Sequence, residues 1–230
     1  MQPTYLPWLG YFDLIDQSDI CVFLDDAQFS RQSWHQRNRI RTPRGLEWLT
    51  VPVQTRGRPE LLICEAEIAN NAGFPRDHIR ALEVHYARSG HLRDYLPELQ
   101  ELLQSRLAHL HELNMQLIRW IAGNLGIEAR FECSSSLGGQ GKRSGLMLDI
   151  CKRVGADCYL SPAGASYLAE ELDVSRTGEL KVAFHNYEHP AYRQVYDPFI
   201  PYASAVDLLF NCGAESLEII RSGRNTPVAL

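Results

Sequence analysis

The residues best equipped for chemistry crowd into one stretch, Asp25-Asp26-Ala27-Gln28-Phe29-Ser30-Arg31-Gln32-Ser33-Trp34-His35-Gln36-Arg37-Asn38-Arg39. Carboxylates and an imidazole can move protons, and guanidinium groups can hold phosphates. His35 is the candidate general base, since an unperturbed imidazole titrates near pH ~6.5. Asp25 or Asp26 would orient that base or hold sugar hydroxyls. Arg31 and Arg37 would grip phosphate, joined by Lys142 from a second stretch. The whole segment is polar, so it is expected as a solvated loop, and loss of His35 or Arg37 is expected to leave the fold intact.

Three further stretches follow apolar runs. Ser134 to Ser144 is rich in Ser and Gly, and small residues let backbone N–H groups approach an anion at a helix start. It resembles a P-loop only loosely, because Ser136 stands where that motif needs Gly. An anion-binding loop and a Gly-rich connector both remain open. Leu160-Ser161-Pro162-Ala163-Gly164-Ala165 reads as a strand-to-helix turn that could hold a ligand through Ser161 and the backbone, or could pack a helix closely on a sheet. His185-Asn186-Tyr187-Glu188-His189-Pro190-Ala191-Tyr192-Arg193-Gln194 offers His185, His189, Tyr192 and Gln194. Pro190 argues against a helix that would align the two histidines as metal ligands, and no metal is assigned.

The elements that must position these groups are read from hydrophobic period. A loop and a short helix around Tyr11–Ile15 lead to a strand from Asp19 that ends on the two carboxylates. Strands are expected over 48–53 and 61–68, with a turn at 55–59 between them. From His78 to Leu125 leucines recur every three or four residues, the mark of amphipathic helices. Pro97 is expected in a first turn, dividing two helices, and Gly123 to Gly126 is a helix stop. Further strands are expected over 129–133, 157–160 and 180–184, with helices over 144–154, 167–172, 205–210 and 216–221. The tail after Gly223 reads as loop. Alternating strands and helices predict an α/β protein, a Rossmann-like parallel or mixed sheet in a single domain over 1–230, with a helical subdomain at about 89–125. Loops after parallel strands converge on one edge, so Asp25–Asn38, Ser134–Lys142, Ser161–Ala165 and His185–Gln194 are expected to line one cleft.

Composition narrows the classes. The 230 residues are 45% hydrophobic and 22% charged, with a net charge of −5, which does not suit a general nucleic-acid binder. No run approaches the roughly 18 apolar residues of a membrane span, and the first residues lack the pattern of a signal peptide. The scattered cysteines form no Cys-x-x-Cys, so they are expected reduced and buried, in a cytoplasmic protein.

Several segments together resemble the WbqC-like family. They are Gln2-Pro3-Thr4-Tyr5-Leu6-Pro7-Trp8-Leu9-Gly10-Tyr11-Phe12, Leu24-Asp25-Asp26 through Asn38, Tyr159-Leu160-Ser161, His189 through Gln194, and Asp207-Leu208-Leu209-Phe210-Asn211-Cys212-Gly213. The resemblance spans essentially the whole chain. It implies a role in bacterial surface-polysaccharide (O-antigen) synthesis, on a nucleotide-linked or lipid-linked sugar. Members usually open on apolar residues ahead of the Gln-Pro pair, so a first strand shortened at Met1 is expected. A second likeness is to the nucleotidyltransferase-like fold, although Tyr11 follows Gly10 where those enzymes carry a triphosphate-binding His. Three functions follow: acyl or aminoacyl transfer to an amino sugar, an ATP- and Mg-dependent ligase, or a sugar-nucleotide binding or scaffold protein. Candidate substrate contacts are Gln2, Tyr5, Gln28, Arg31, Arg37, Asn38, Lys142, Ser161, His185, His189, Tyr192 and Gln194, around His35, Asp25 and Asp26.

Overall fold

A computed structural model describes residues 1–69, 73–162 and 180–229. The helix expected at 167–172 and the Ala163–Ala165 part of its turn lie outside these. Helix α1 (Leu9–Asp16) leads into β1 (Ile20–Phe23). Strand β1 pairs in parallel with β4 (Arg130–Cys133), Ile20 opposite Arg130 and Phe23 opposite Cys133. Parallel neighbours need a crossover, and everything from Leu24 to Ala129 supplies it.

That crossover begins with a hairpin the sequence did not announce. β2 (Arg37–Thr42) pairs antiparallel with β3 (Gly45–Thr50), so Arg37, Asn38 and Arg39 are strand residues and not part of a loop. The basic run masks a two-residue alternation. Asn38 and Ile40 are buried, while the guanidinium groups of Arg37 and Arg39 lie over Trp48 at 4.2 and 5.3 Å. Guanidinium groups are attracted to aromatic faces, and the Nε of both arginines is buried there. The strand expected at 48–53 thus starts earlier and stops before Pro52. No strand forms over 61–68. Leu61, Ile63, Ala66 and Ile68 are buried without a two-residue period, and the segment makes a 3-10 turn (Ile63–Glu65) between isolated bridges.

Three helices follow: α2 (Arg76–His85), α3 (Leu92–Leu103) and α4 (Leu110–Leu125). The leucine stripe is core, with Leu99, Leu103, Leu110, Leu113, Leu117 and Ile121 all buried. Pro97 lies inside α3 and does not divide it; the break falls at 104–109, where Arg106 has φ 51°. One lost backbone hydrogen bond is outweighed by burial of the stripe. Gly126 ends α4 in the left-handed region, as its position after the stripe suggests.

The C-terminal part alternates as expected. After β4 come α5 (Ser134–Leu137), α6 (Ser144–Val154), β5 (Cys158–Ser161) and β6 (Lys181–Phe184), β5 and β6 being parallel. Helices α7 (Ala205–Cys212) and α8 (Ser216–Ser222) follow. The tail is not loop throughout: Val228–Ala229 forms β7, antiparallel to β6. The protein is α/β, with small parallel and mixed sheets. Among the described residues no helix is long and apolar enough to cross a membrane. The described cysteines are free, but Cys158 is exposed, against the expectation of burial.

A buried carboxylate joins several of these elements. Asp207, fully buried on α7, accepts from the hydroxyls of Tyr86 (2.7 Å) and Tyr192 (2.6 Å) and from Gln194 Nε2 (2.9 Å). Burial pushes its pKa up, and these donors pull it back. Tyr86 also accepts the N–H of Arg41 on β2, so the network joins hairpin, helices and the 192–194 segment. Asp207→Ala is expected to lower stability by about 3–5 kcal/mol, because buried donors lose their acceptor. Tyr192→Phe should lower it by about 1–2 kcal/mol. Urea denaturation midpoints check both, and an Asp207→Ala change below about 1 kcal/mol would contradict the network's role.

Candidate functional site

The parallel register of β1 and β4 carries their C-terminal ends to the same place. Asp25 and Asp26 leave β1 there, and Ser134 and Ser135 open α5 directly after β4. Asp25 Oδ1 accepts the Ser135 N–H at 3.0 Å and faces Ser134 Oγ at 3.2 Å, while Asp25 Oδ2 accepts the Ser135 hydroxyl at 2.6 Å. Ser134 Oγ also lies 2.5 Å from Asp26 Oδ1. Ser134 has one hydroxyl proton for two carboxylates, so one of its contacts always lacks a proton. Among the described residues neither Asp25 nor Asp26 forms an ion pair. Asp25 is buried and Asp26 half-buried, so Asp26 is the more accessible of the two.

Other titratable groups surround the pair. Cys64 donates its N–H to the Asp25 carbonyl at 2.8 Å. Burial raises the thiols of Cys64 and Cys133, and Asp25 raises both further. Burial lowers His111 on α4, and Asp25 acts in the opposite sense; its Nδ1 is buried without a partner among the described residues. No group of His, Cys, Asp and Glu among the described residues is arranged to hold a metal.

Gln2 lies alongside the end of β1, and His35 holds its side chain. Leu24 donates its N–H to the Met1 carbonyl at 2.7 Å, which sets Gln2 alongside the residues that follow β1. His35 is not solvated: it is 5% exposed. Its Nδ1 accepts from the Ser30 N–H at 3.2 Å, so the proton sits on Nε2, which donates to Gln2 Oε1 at 2.9 Å. Burial lowers its pKa to about 4. Both ring nitrogens are thus engaged, and the polar character of residues 25–39 reflects internal hydrogen bonds more than contact with water.

The remaining candidates disperse. Tyr5 is fully buried, its hydroxyl 2.8 Å from His78 Nδ1, and Asn38 donates to the carbonyls of Tyr5 and Leu6. Gln28 and Arg31 are exposed, and each donates to a carbonyl of the neighbouring loop, Pro59 and Thr55. Arg37 stacks on Trp48. Lys142 is exposed before α6. Backbone amides of this second stretch serve the chain's own carboxylates, Ser135 to Asp25 and Gln140 to Asp149. Ser161 is buried, and its carbonyl accepts the His185 N–H. His185 meets Asp13 at 2.7 Å, and Arg224 holds the other Asp13 oxygen at 2.8 Å. His189 stacks on Trp8, with ring centroids 6.1 Å apart. Tyr192 and Gln194 belong to the Asp207 network. The first two stretches therefore meet at the carboxylates, while 185–194 packs on α1, Trp8 and Asp207.

Ser134, Ser135, His111 and Asn114 were not singled out as site residues in the sequence. Asn114 gave a signal: it interrupts the leucine stripe, and its amide donates to the carbonyls of Pro3 and His35.

The protein is α/β, and its paired carboxylates stand where the loops after two parallel strands, β1 and β4, converge. The chain belongs to the WbqC-like protein family, whose model matches residues 2–219. It is 34% identical over 224 residues to the uncharacterized protein Rv1507c of Mycobacterium tuberculosis, covering 96% of each chain. No solved structure matches.

His35 and His78 both have pKa values lowered by burial to about 4, against about 6.5 when unfolded. Between these values the unfolded chain binds protons that the folded chain refuses, so stability is full above pH ~6.5 and falls toward pH ~4. Each histidine is expected to contribute on the order of 1–3 kcal/mol to that loss. Urea melts from pH 7 to 5 should show it, with a shallower slope in His35→Gln. An unchanged slope in that variant would mean that His35 titrates normally.

Proposed function

We propose that the protein is an enzyme of surface-polysaccharide synthesis that binds the amino-sugar portion of a nucleotide- or lipid-linked precursor at Asp25–Asp26 and transfers an acyl or aminoacyl group to its amine. One observation carries this reading. The two carboxylates share too few donors and have no cation among the described residues, so the arrangement favours a ligand bearing an ammonium group and hydroxyls. Family membership supports the polysaccharide context by resemblance alone.

In this reading Asp26, the more open carboxylate, takes the proton from the substrate ammonium. The freed amine attacks the acyl carbonyl carbon, the bond to the donor's leaving group breaks, and that group departs with the electron pair and takes up the second proton that the nitrogen loses. Asp25, held by Ser135, orients the sugar. The role of base expected of His35 passes to Asp26, because the His35 lone pair is occupied by Ser30. His35 positions Gln2 beside the substrate. Exposed Lys142 and half-buried Arg37 are the candidates for phosphate contact.

The experiment is isothermal titration with a uridine-diphosphate amino sugar and with the matching sugar bearing hydroxyl in place of the amine. The amine-bearing ligand should bind at least ~10-fold tighter, worth about 1.4 kcal/mol, and Asp26→Asn should abolish the difference. Equal binding of the two ligands would sink the amino-sugar reading. Binding of ATP that requires Mg and is lost in Asp26→Asn would support the ligase reading instead.

A further inference from the structure

The hairpin of β2 and β3 has an edge that pairs with nothing in the chain. In an antiparallel hairpin successive residues turn their N–H and C=O groups alternately toward the partner strand and away from it. Thr42 and Gly45 close the two-residue turn, so Gly45, Glu47 and Leu49 bond to β2, while Leu46, Trp48 and Thr50 face outward. Three bonds fix this phase. The Thr50 carbonyl accepts from His78 Nε2 at 3.2 Å. On the far side of β2 the Arg39 carbonyl accepts the Ser204 N–H at 2.8 Å, and the Arg41 N–H donates to the Tyr86 hydroxyl at 2.9 Å.

Among the described residues no donor or acceptor meets the outward main-chain groups of Leu46 or Trp48. Both ends of this gap are closed. His78 takes the Thr50 carbonyl, and Thr42 Oγ1 accepts the Arg44 N–H at 3.2 Å. Natural sheets guard a free edge with lysine, proline or a bulge. Here the strand is Gly45-Leu46-Glu47-Trp48-Leu49-Thr50, and its one charge is already paired, Glu47 with Arg44 at 3.0 Å. Trp48 stands on this edge 44% exposed.

We propose that a second copy of the chain covers this edge, β3 pairing antiparallel with β3 of the partner subunit about a two-fold axis through Glu47. Leu46 then pairs with Trp48 of the partner subunit, and Trp48 with Leu46 of the partner subunit. Each pair exchanges two main-chain bonds, so every free group of the edge finds a partner. Leucine meets tryptophan across the strands, on the face that carries Arg37 and Arg39. The hairpins of the two copies become one four-stranded antiparallel sheet.

Two features favour a second copy over a strand of another protein. The free positions lie symmetrically about Glu47, so the edge is its own complement. A longer foreign strand would find no further main-chain group beyond Leu46 and Trp48. The charges are also compatible. Arg37 and Arg39 stand on β2, one strand back from the axis, so no guanidinium is directly opposite another. Glu47 faces Glu47 of the partner subunit on the other face, and Arg44 answers the charge in each chain. This inference is independent of the substrate proposed above.

Sedimentation of the full chain tests it. An edge contact of this size belongs to the small, weak class of interface, so dimer should prevail at about 100 µM and monomer at about 1 µM. At the higher concentration hydrogen exchange at the Leu46 and Trp48 amides should slow by at least ~10-fold. Leu46→Pro removes a donor that only the second copy uses, on an edge where proline is tolerated, and should leave a folded monomer at both concentrations. Glu47→Cys sets two thiols across the axis in a non-hydrogen-bonded pair, with Cα atoms about 4.5 Å apart and within disulfide reach. It should oxidise to a covalent dimer at least ~10-fold faster than Arg44→Cys or the parent chain, a result that stands even if Leu46→Pro fails to fold. A chain still monomeric at about 100 µM, with Glu47→Cys linking no faster than Arg44→Cys, would overturn the proposal. A dimer in which the Leu46 and Trp48 amides exchange freely would also overturn it, since that dimer uses another surface.

Discussion

Residues 3–6 run through the interior without a helix or strand to satisfy their backbone, and the site depends on how that is solved. Asn114 donates to the carbonyls of Pro3 and His35, and Asn38 donates to those of Tyr5 and Leu6. The Tyr5 N–H bonds to the Trp34 carbonyl at 3.0 Å. A buried carbonyl left without a donor costs on the order of 1–3 kcal/mol, so these amides confine the N-terminal loop strictly. The loop in turn fixes Gln2, through Tyr11 and His35, beside the end of β1.

Three buried carboxylate positions show why one of them is the candidate site. Asp13 is answered by His185 and Arg224, which tie α1 to the C-terminal segments. Asp207 is answered by two phenols and an amide, which tie α7 to the hairpin and to α2. Asp25 and Asp26 are answered by serine hydroxyls and one backbone N–H. The first two arrangements complete themselves within the chain. The third leaves lone pairs and charge for something else to meet, at an edge where loops from two parallel strands converge.

The legible parts of the fold were those in which one period dominates. Helix α6 follows the apolar spacing of residues 144–154, β1, β5 and β6 are short, largely apolar runs, and β4 alternates charged with apolar residues. Strand β2 was hidden because Arg37, Arg39 and Arg41 occupy alternate positions, the first two lying over Trp48 and Arg41 buried against Tyr196. The pairing of Val228–Ala229 with β6 was hidden because two residues carry no period. For the site, strand ends pointed to Asp25–Asp26 and to the Ser134 loop, and the parallel register brings these together. What spacing could not reveal was burial: a polar segment looks solvated until its partners are known, and the partners of His35 are a backbone N–H and a side chain 33 residues away.

The central claim is that the ligand site lies at the carboxylate pair and not on the exposed tryptophan–arginine face of the hairpin. Amide chemical-shift mapping of the isotope-labelled chain, titrated with a uridine-diphosphate amino sugar, tests it most directly. The account predicts the largest shifts at Gln2, Asp25, Asp26, Ser134 and Ser135. Shifts confined to Trp34, Arg37, Arg39 and Trp48, with the carboxylate segment unmoved, would contradict it.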